Sequence, residues 1–351
     1  MKLFAAFFAS CIVIFGTVAG AEQIDDILSK MQEANTGIAY EGTLTTVLIN
    51  SPFPRSYQYK VSNYGNLHRK EELLTEGMNK EIDYDDGTHL WRFFPHKNLV
   101  IKEKSRNLRL LQYQVKENLE LVRQNYDVQI LGEYDLNSRR GHRILFKPIV
   151  GDRPQQIFWI DEQTGVPFRT EKYGTNNQLV SVSSFSKIAF SSPSEQDGLF
   201  LKVPPHTLMT EILEKGNLTL AEAYKLTNGR VYVPQYIPSG FKLKNIIMRI
   251  QGGTKILQLF YSDGLSSLSI FQRHNGTLGR KPFPHFLKIK VGTKEAFLCT
   301  SGSLNTLNMI CTPIKITLMG ELFQEEMVKV GSSLTPTVSG VSFGSDTAAP
   351  Q

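Results

Sequence analysis

Few side chains in this 351-residue sequence stand at spacings that could do covalent chemistry. Gly340-Val341-Ser342-Phe343-Gly344 spells G-x-S-x-G, the nucleophile-elbow pattern that puts a serine on a sharp strand-to-helix turn. Too few residues follow it to build that helix, and no histidine occurs after His285 to act as base. Asp83, Asp85 and Asp86 before Gly87 superficially suggest a calcium loop. The EF-hand spacing fails and its final glutamate is missing, so an acidic hairpin turn accounts for them. His89, His96 and His142 fall in no metal-ligating pattern, with no H-E-x-x-H and no C-x-x-C in the chain. Nothing in these residues calls for an enzyme, a metal or a cofactor.

Binding chemistry remains. Trp91, Phe93, Phe158 and Trp159 lie in segments with a strand-like pattern. Aromatic side chains fit a pleated surface, so core packing is one reading. The sharper one is a curved sheet whose apolar concavity holds acyl chains, with Trp91, Phe93 and Trp159 among the contacting residues. Basic residues cluster at Lys102, Lys104, Arg106 and Arg109, and again at Arg139, Arg140, His142 and Arg143. Solvated loops explain such clusters. The alternative is a grip on a phosphorylated lipid headgroup by Arg139 and Arg143, since guanidinium binds phosphate bidentately. The formal net charge of +6 suits an anionic partner but is too small to argue for nucleic acid.

The elements that must position these residues are mostly strands. With 41% hydrophobic and 21% charged residues the composition is globular, and the length fits two domains. Lys2, the apolar run Leu3–Val18 and Ala19-Gly20-Ala21 read as a secretory signal peptide over 1–21. Ile24, Ile27, Leu28 and Met31 then space a short amphipathic helix. From Ile38 the period changes to two, and a long antiparallel β domain with few helices runs over 22–200. A polar, turn-forming stretch from Ser191 leads into a linker at 201–225, where Thr219 and Glu222 stand in capping-box spacing. A smaller α+β domain follows over 226–333, and 334–351 reads as a disordered tail. Cys299 and Cys311 remain after export. They lie on neighbouring expected strands around a Thr300–Ser303 turn, and a disulfide is expected between them.

The chain also resembles a known family. Trp159-Ile160-Asp161-Glu162-Gln163-Thr164-Gly165-Val166-Pro167 is similar to the W-x-D-x-x-T-G-x-P stretch of the sigma-E regulatory proteins MucB/RseB. Pro234–Phe241 resembles that family's P-x-W-x-P-x-G-F entry to its second domain, with Tyr236 in place of the usual Trp. Tyr261–Ser269 is close to its Y-S-D-G-L-x-x-x-S hairpin, and Ile316–Leu322 to its last strand. The resemblance implies a half-open, LolA-like β-barrel with one helix, followed by a smaller α+β domain.

It also implies a non-enzymatic periplasmic regulator. Such a protein binds the periplasmic domain of an inner-membrane anti-sigma factor, protects it from proteolysis, and is released by a lipid or lipopolysaccharide signal. Tyr261, Asp263 and Gly264 are the expected partner-proximal residues, because a turn on a rigid ladder presents contacts at low entropic cost. A hairpin that only builds the second core is the plainer reading. A periplasmic lipid or lipoprotein carrier is the alternative function, and self-association stays open.

Overall fold

The structure, a computed structural model, describes residues 15–51, 54–105, 115–136, 139–191, 203–274 and 286–337. The first part of the expected signal peptide, Arg106 and Arg109, the stretch 192–202 and the serine motif at Gly340–Gly344 lie outside the described residues.

α1 runs from Phe15 to Gly37, longer at both ends than the sequence pattern marks and straight through Ala19–Ala21. Its three-and-four spacing buries Ile27, Leu28 and Ala34. Eleven strands follow: β1 (Ala39–Leu48), β2 (Arg55–Gly65), β3 (His68–Leu73), β4 (Ile82–Asp86), β5 (His89–Phe94), β6 (Leu99–Lys104), β7 (Tyr126–Leu136), β8 (Arg139–Pro148), β9 (Gln155–Asp161), β10 (Pro167–Tyr173) and β11 (Leu179–Ala189). A helix, α2 (Val115–Asn125), leads into β7. With β12 (Leu208–Glu211) they form one sheet in the order β12-β6-β5-β4-β3-β2-β1-β11-β10-β9-β8-β7. β12 and β7 are its two edges, so the sheet is curled but not closed.

The acidic turn expected at Asp86-Gly87 is built as read. Gly87 has φ +80, the Asp85 carboxylate accepts the Gly87 N–H at 3.0 Å, and Asp86 accepts those of Thr88 and His89 at 2.8 and 2.6 Å. One core patch joins Ile27 and Leu28 of α1 to Ile144, Phe146 and Ile160. A second joins Ala34 to Tyr40, Val61 and Val166. One helix cannot cover so wide a sheet, and the concave faces of β3–β5 take no part in either patch.

The stretch read as a linker is structured. β12 pairs in parallel with β6, and one residue later β13 (Leu213–Lys215) pairs with β15 of the other sheet. The second domain therefore starts near 213 rather than 226. α3 (Leu220–Leu226) carries the complete Thr219/Glu222 capping box and buries Ala223 in the second core. β14 (Tyr232–Pro234) precedes β15 (Lys242–Gln251), β16 (Thr254–Ser262), β17 (Ser267–His274), β18 (Leu287–Val291), β19 (Lys294–Ser301), β20 (Leu304–Cys311) and β21 (Ile314–Gly320). The second sheet runs β13-β15-β16-β17-β21-β20-β19-β18. α4 (Gln324–Ser332) packs Met327 and Val330 onto it.

Two expectations fail in this domain. The tail does not begin at 334: β22 (Leu334–Pro336) pairs with β14, and Leu334 is buried, because an apolar residue at the end of α4 finds the second core within reach. Only 338–351 of that stretch lies outside the described residues. Cys299 and Cys311 are both free thiols. Cys299 opposes Thr306 in the ladder, five residues from Cys311, or about 17 Å along the strand. Their side chains also leave opposite faces, since Leu298 and Cys311 belong to the core and Cys299 alternates out of it. A disulfide needs Cα atoms within roughly 7 Å.

Candidate functional site

The concave face of the first sheet holds a cavity of about 380 Å³ beside the C-terminal end of α1. Leu44, Leu90, Phe168 and Phe185 form its apolar wall. Its floor is charged. The cross-strand pairs Arg69↔Asp85 and Glu71↔Asp83 place four ionisable side chains on one face of β3 and β4. Arg69 is committed already: its Nε donates to Glu71 at 2.8 Å and an Nη to the Tyr40 hydroxyl at 2.7 Å. Burial works against its charge, but Glu71 and Tyr40 hold the guanidinium above its ordinary pKa. A neighbouring hollow of about 230 Å³ adds Glu81 and Arg92, and Arg92 reaches Asp83 at 3.3 Å and Glu103 at 3.2 Å.

None of the five residues expected to hold a lipid lines this cavity. Trp91 opposes Tyr84 and Lys102, and Phe93 opposes Ile82 and Val100, on the other face of β4–β6. The Trp91 Nε1–H donates to Asp86 at 2.8 Å, which ties the ring to the hairpin turn. Trp159 opposes Arg143 and Arg169, whereas Phe158 opposes Thr170, a cavity residue. Period-two alternation therefore sends Trp159 to the outer face. There Arg143 and Arg169 stack 4.8 and 5.9 Å from its ring centre. Arg139 makes two 2.8 Å hydrogen bonds to Asp161 and lies 4.3 Å over Phe190. Asp161 also accepts the Thr164 N–H and hydroxyl at 2.8 and 2.6 Å. Despite burial, these donors hold its carboxyl below the usual range. Gly165 (φ +72) then passes so close to Lys30 that a Cβ would stand 2.5 Å from its carbonyl oxygen. The Trp159–Pro167 motif thus fastens α1 to the sheet.

Two of the three expected partner residues are buried and the third, Gly264, is half-buried. Tyr261 is 8% exposed and Asp263 is 0% exposed. Asp263 accepts from the Tyr126 hydroxyl at 2.7 Å and from Arg153, both in the first domain. Its second oxygen caps the N–H groups of Leu265 and Ser266 at 2.9 and 2.6 Å. Arg153 also grips Asp152, donates to the Ser239 carbonyl at 2.5 Å and lies 4.6 Å over Phe241. Burial opposes its charge, but Asp152 and Asp263 keep it above its ordinary value. Gly264 (φ +101) leaves no room for a Cβ, which would lie 2.6 Å from the Asn118 carbonyl of α2. Asn125 bonds the carbonyls of Gly240 and Asp263. The Pro234–Phe241 and Tyr261–Ser269 motifs are therefore the joint between the domains. Sequence reasoning missed Arg153, Asn125 and Tyr126, whose partners lie about 90 to 140 residues away, and with them Asp152, which holds the Arg153 guanidinium from the next position.

A cleft of about 700 Å³ opens between the domains next to this joint. Asn50, Val150 and Asp152 line it from one side, and Gly302, Glu325 and Glu326 from the other. The Gly302 N–H donates to Asn50 across it at 2.8 Å, and Lys172 pairs with Glu321. Tyr236, at the position where Trp is usual, donates to Glu326 at 2.6 Å, and that bond pushes its hydroxyl up to about 12.

Comparison with known proteins agrees with this architecture. The family model for the MucB/RseB N-terminal domain matches residues 23–207. The sigma-E factor regulatory protein RseB of Haemophilus influenzae is 21% identical over 270 residues, covering 76% of this chain and 82% of that protein. A chain of the Pseudomonas aeruginosa MucA/MucB complex superposes with TM-score 0.58 at 17% identity, covering 90% of this chain and all of that one. MucB crystallised with MucA(peri) gives 0.56 at 16%, covering 90% and 99%. Family model and shared two-domain fold agree: the chain belongs to the MucB/RseB family.

Proposed function

We propose that this protein is a non-enzymatic regulator of an envelope-stress sigma factor, working in the periplasm after export. It binds the periplasmic segment of an inner-membrane anti-sigma factor and shields that segment from proteolysis. The observation that carries the reading is the joint. The family motifs are used to lock two domains together through buried Asp263 and Arg153, with a cleft of about 700 Å³ between them. A lipid carrier needs only the first domain and has no use for this lock. The cleft carries Asp152, Glu325 and Glu326 beside Ile49 and Val150, which are 41% and 44% exposed. An extended segment mixing basic and apolar residues fits that lining. The relatives' complex with MucA supports a partner of this class.

A phosphorylated lipid that releases the partner would meet guanidinium groups on the outer sheet, where Arg143 and Arg169 stack on Trp159 and Arg169 also pairs with Glu171 at 2.6 Å. The test is binding of the purified protein to the isolated periplasmic domain of the anti-sigma factor, followed by calorimetry. Micromolar or tighter one-to-one binding that weakens for Glu325→Lys with Ile49→Asp supports the reading. No heat of binding at all rejects it and favours the carrier.

A further inference from the structure

A small cavity of about 180 Å³ lies between α1 and strands β7–β9, and its chemistry is independent of the partner-binding reading. One of its lining residues, His142, is out of place in its row. β8 turns Ile144 and Phe146 toward α1, where both join the core patch with Ile27 and Leu28. Two residues before Ile144, period-two alternation puts His142 on the same face. There it stands opposite Glu133 on β7 and Ile160 on β9. The residue is 6% exposed, and its Nδ1 has no hydrogen-bond partner among the described residues. A buried polar group without a partner costs stability, and an apolar side chain at this position would avoid that cost. The cavity that His142 lines is where a partner from outside the chain can reach the ring.

Charge and size select that partner. Four carboxylates line the cavity, and two of them are taken. Asp26 pairs with Lys30 at 3.1 Å, and Asp161 accepts from Arg139 and Thr164. Glu133 and Glu162 are exposed and form no ion pair with a described residue. An imidazole and two unpaired carboxylates suit a cation. Among the described residues no three such groups stand close enough to hold a metal ion. Metal bonds of about 2.1 Å need tighter convergence than hydrogen bonds of about 2.9 Å. An ammonium group brings three N–H donors, one for each of the three acceptors. The volume lies below the roughly 300 Å³ at which drug-sized ligands begin, so a single short side chain fills it.

We propose that this cavity binds a primary alkylammonium group, carried by the lysine side chain of another protein or by a free short amine. The ammonium donates to His142, Glu133 and Glu162, and its alkyl stem lies against Ile27 and Ile160.

The experiment follows the imidazole Cε1–H resonances of the purified protein at constant ionic strength and mildly alkaline pH, where a neutral imidazole can accept. The chain has seven histidines, and loss of one signal in His142→Phe identifies the right one. Butylammonium is expected to shift that signal with about millimolar affinity, the scale open to so small a ligand. Tetramethylammonium carries the same charge but no N–H, and should bind at least about fivefold more weakly. Glu133→Gln with Glu162→Gln, both exposed, should weaken butylammonium about tenfold. Nα-acetyl-lysine methylamide separates the two sources. Binding equal to that of butylammonium assigns the cavity to a protein's lysine, and binding of butylammonium alone assigns it to a free amine. No shift of the His142 signal at millimolar butylammonium, equal affinity for tetramethylammonium, or undiminished binding by the doubly substituted protein overturns the proposal. The wild-type comparison of the two ammonium ions decides even if a variant does not fold. None of these outcomes bears on binding of the anti-sigma factor, which is measured separately.

Discussion

Arg153 and Asp263 sit in different domains and meet with side chains 2% and 0% exposed. Asp263→Asn removes the charge without changing the shape. It leaves Arg153 with Asp152 and the Ser239 carbonyl, and Tyr126 with the Ser266 hydroxyl at 3.2 Å. Breaking a buried pair from one side costs about 3–5 kcal/mol. Because Asp152 still partners Arg153, the lower end, about 3 kcal/mol, is expected. Arg153→Met, made in the first domain, should cost about as much, since it strands Asp263. The double variant should cost roughly 2 kcal/mol less than the two singles together, because contacting residues couple by about 0.5–3 kcal/mol. Urea unfolding can follow each domain separately. Trp91 and Trp159, the two tryptophans of the chain, report the first domain, and alkylation of buried Cys311 reports the second. Destabilisation of the second domain by Arg153→Met is the signature of the joint. Costs that add within about 0.5 kcal/mol, or a second domain indifferent to Arg153, would refute the coupling.

Three further outcomes follow from single residues. His274 is buried, its Nε2 has no hydrogen-bond partner among the described residues, and burial with repulsion from Arg230 and Lys255 lowers its pKa to about 4. Its neutral form is favoured in the folded state, so stability should fall as pH drops from about 6.5 to about 4. His274→Gln should flatten melting temperature across that window, and an unchanged slope would count against the assignment. Gly264→Ala forces a Cβ against α2 at φ +101 and should cost at least about 2 kcal/mol in urea unfolding; a cost under about 0.5 kcal/mol would show that the turn does not pack there. Non-reduced mass spectrometry should find two thiols, with Cys299 alkylated in the native protein and Cys311 only on unfolding, because burial both shields Cys311 and raises its pKa. A mass lower by two hydrogens would restore the disulfide.

Local signals carried well from sequence to structure. Ile24, Ile27, Leu28 and Met31 marked a helix that packs as their spacing requires. Asp86-Gly87 marked its turn, and Thr219 with Glu222 their capping box. Each is decided within a few residues. Facing was harder. Trp159 and Phe158 are both aromatic neighbours on one strand, and only the pairing of β9 with β8 and β10 tells which looks inward. Long-range closure was not legible. Asp263 in a Y-S-D-G turn reads as exposed until Arg153 and Tyr126, more than 100 residues earlier, fold against it. The cysteines failed for the same reason, since strand adjacency was visible and register was not. The linker reading failed because Ser- and Pro-rich punctuation at 191–205 hid the two short strands after it.

Shielding of an anti-sigma factor by both domains together can be read from its proteolysis. The most direct measurement is a time course of cleavage of that factor's periplasmic domain by its membrane-facing protease, with and without the purified protein. A small molar excess of the protein is expected to slow cleavage at least about tenfold, and Arg153→Met to lose most of this protection at a temperature where its first domain is still folded. Cleavage at the same rate with and without the wild-type protein would contradict the shielding.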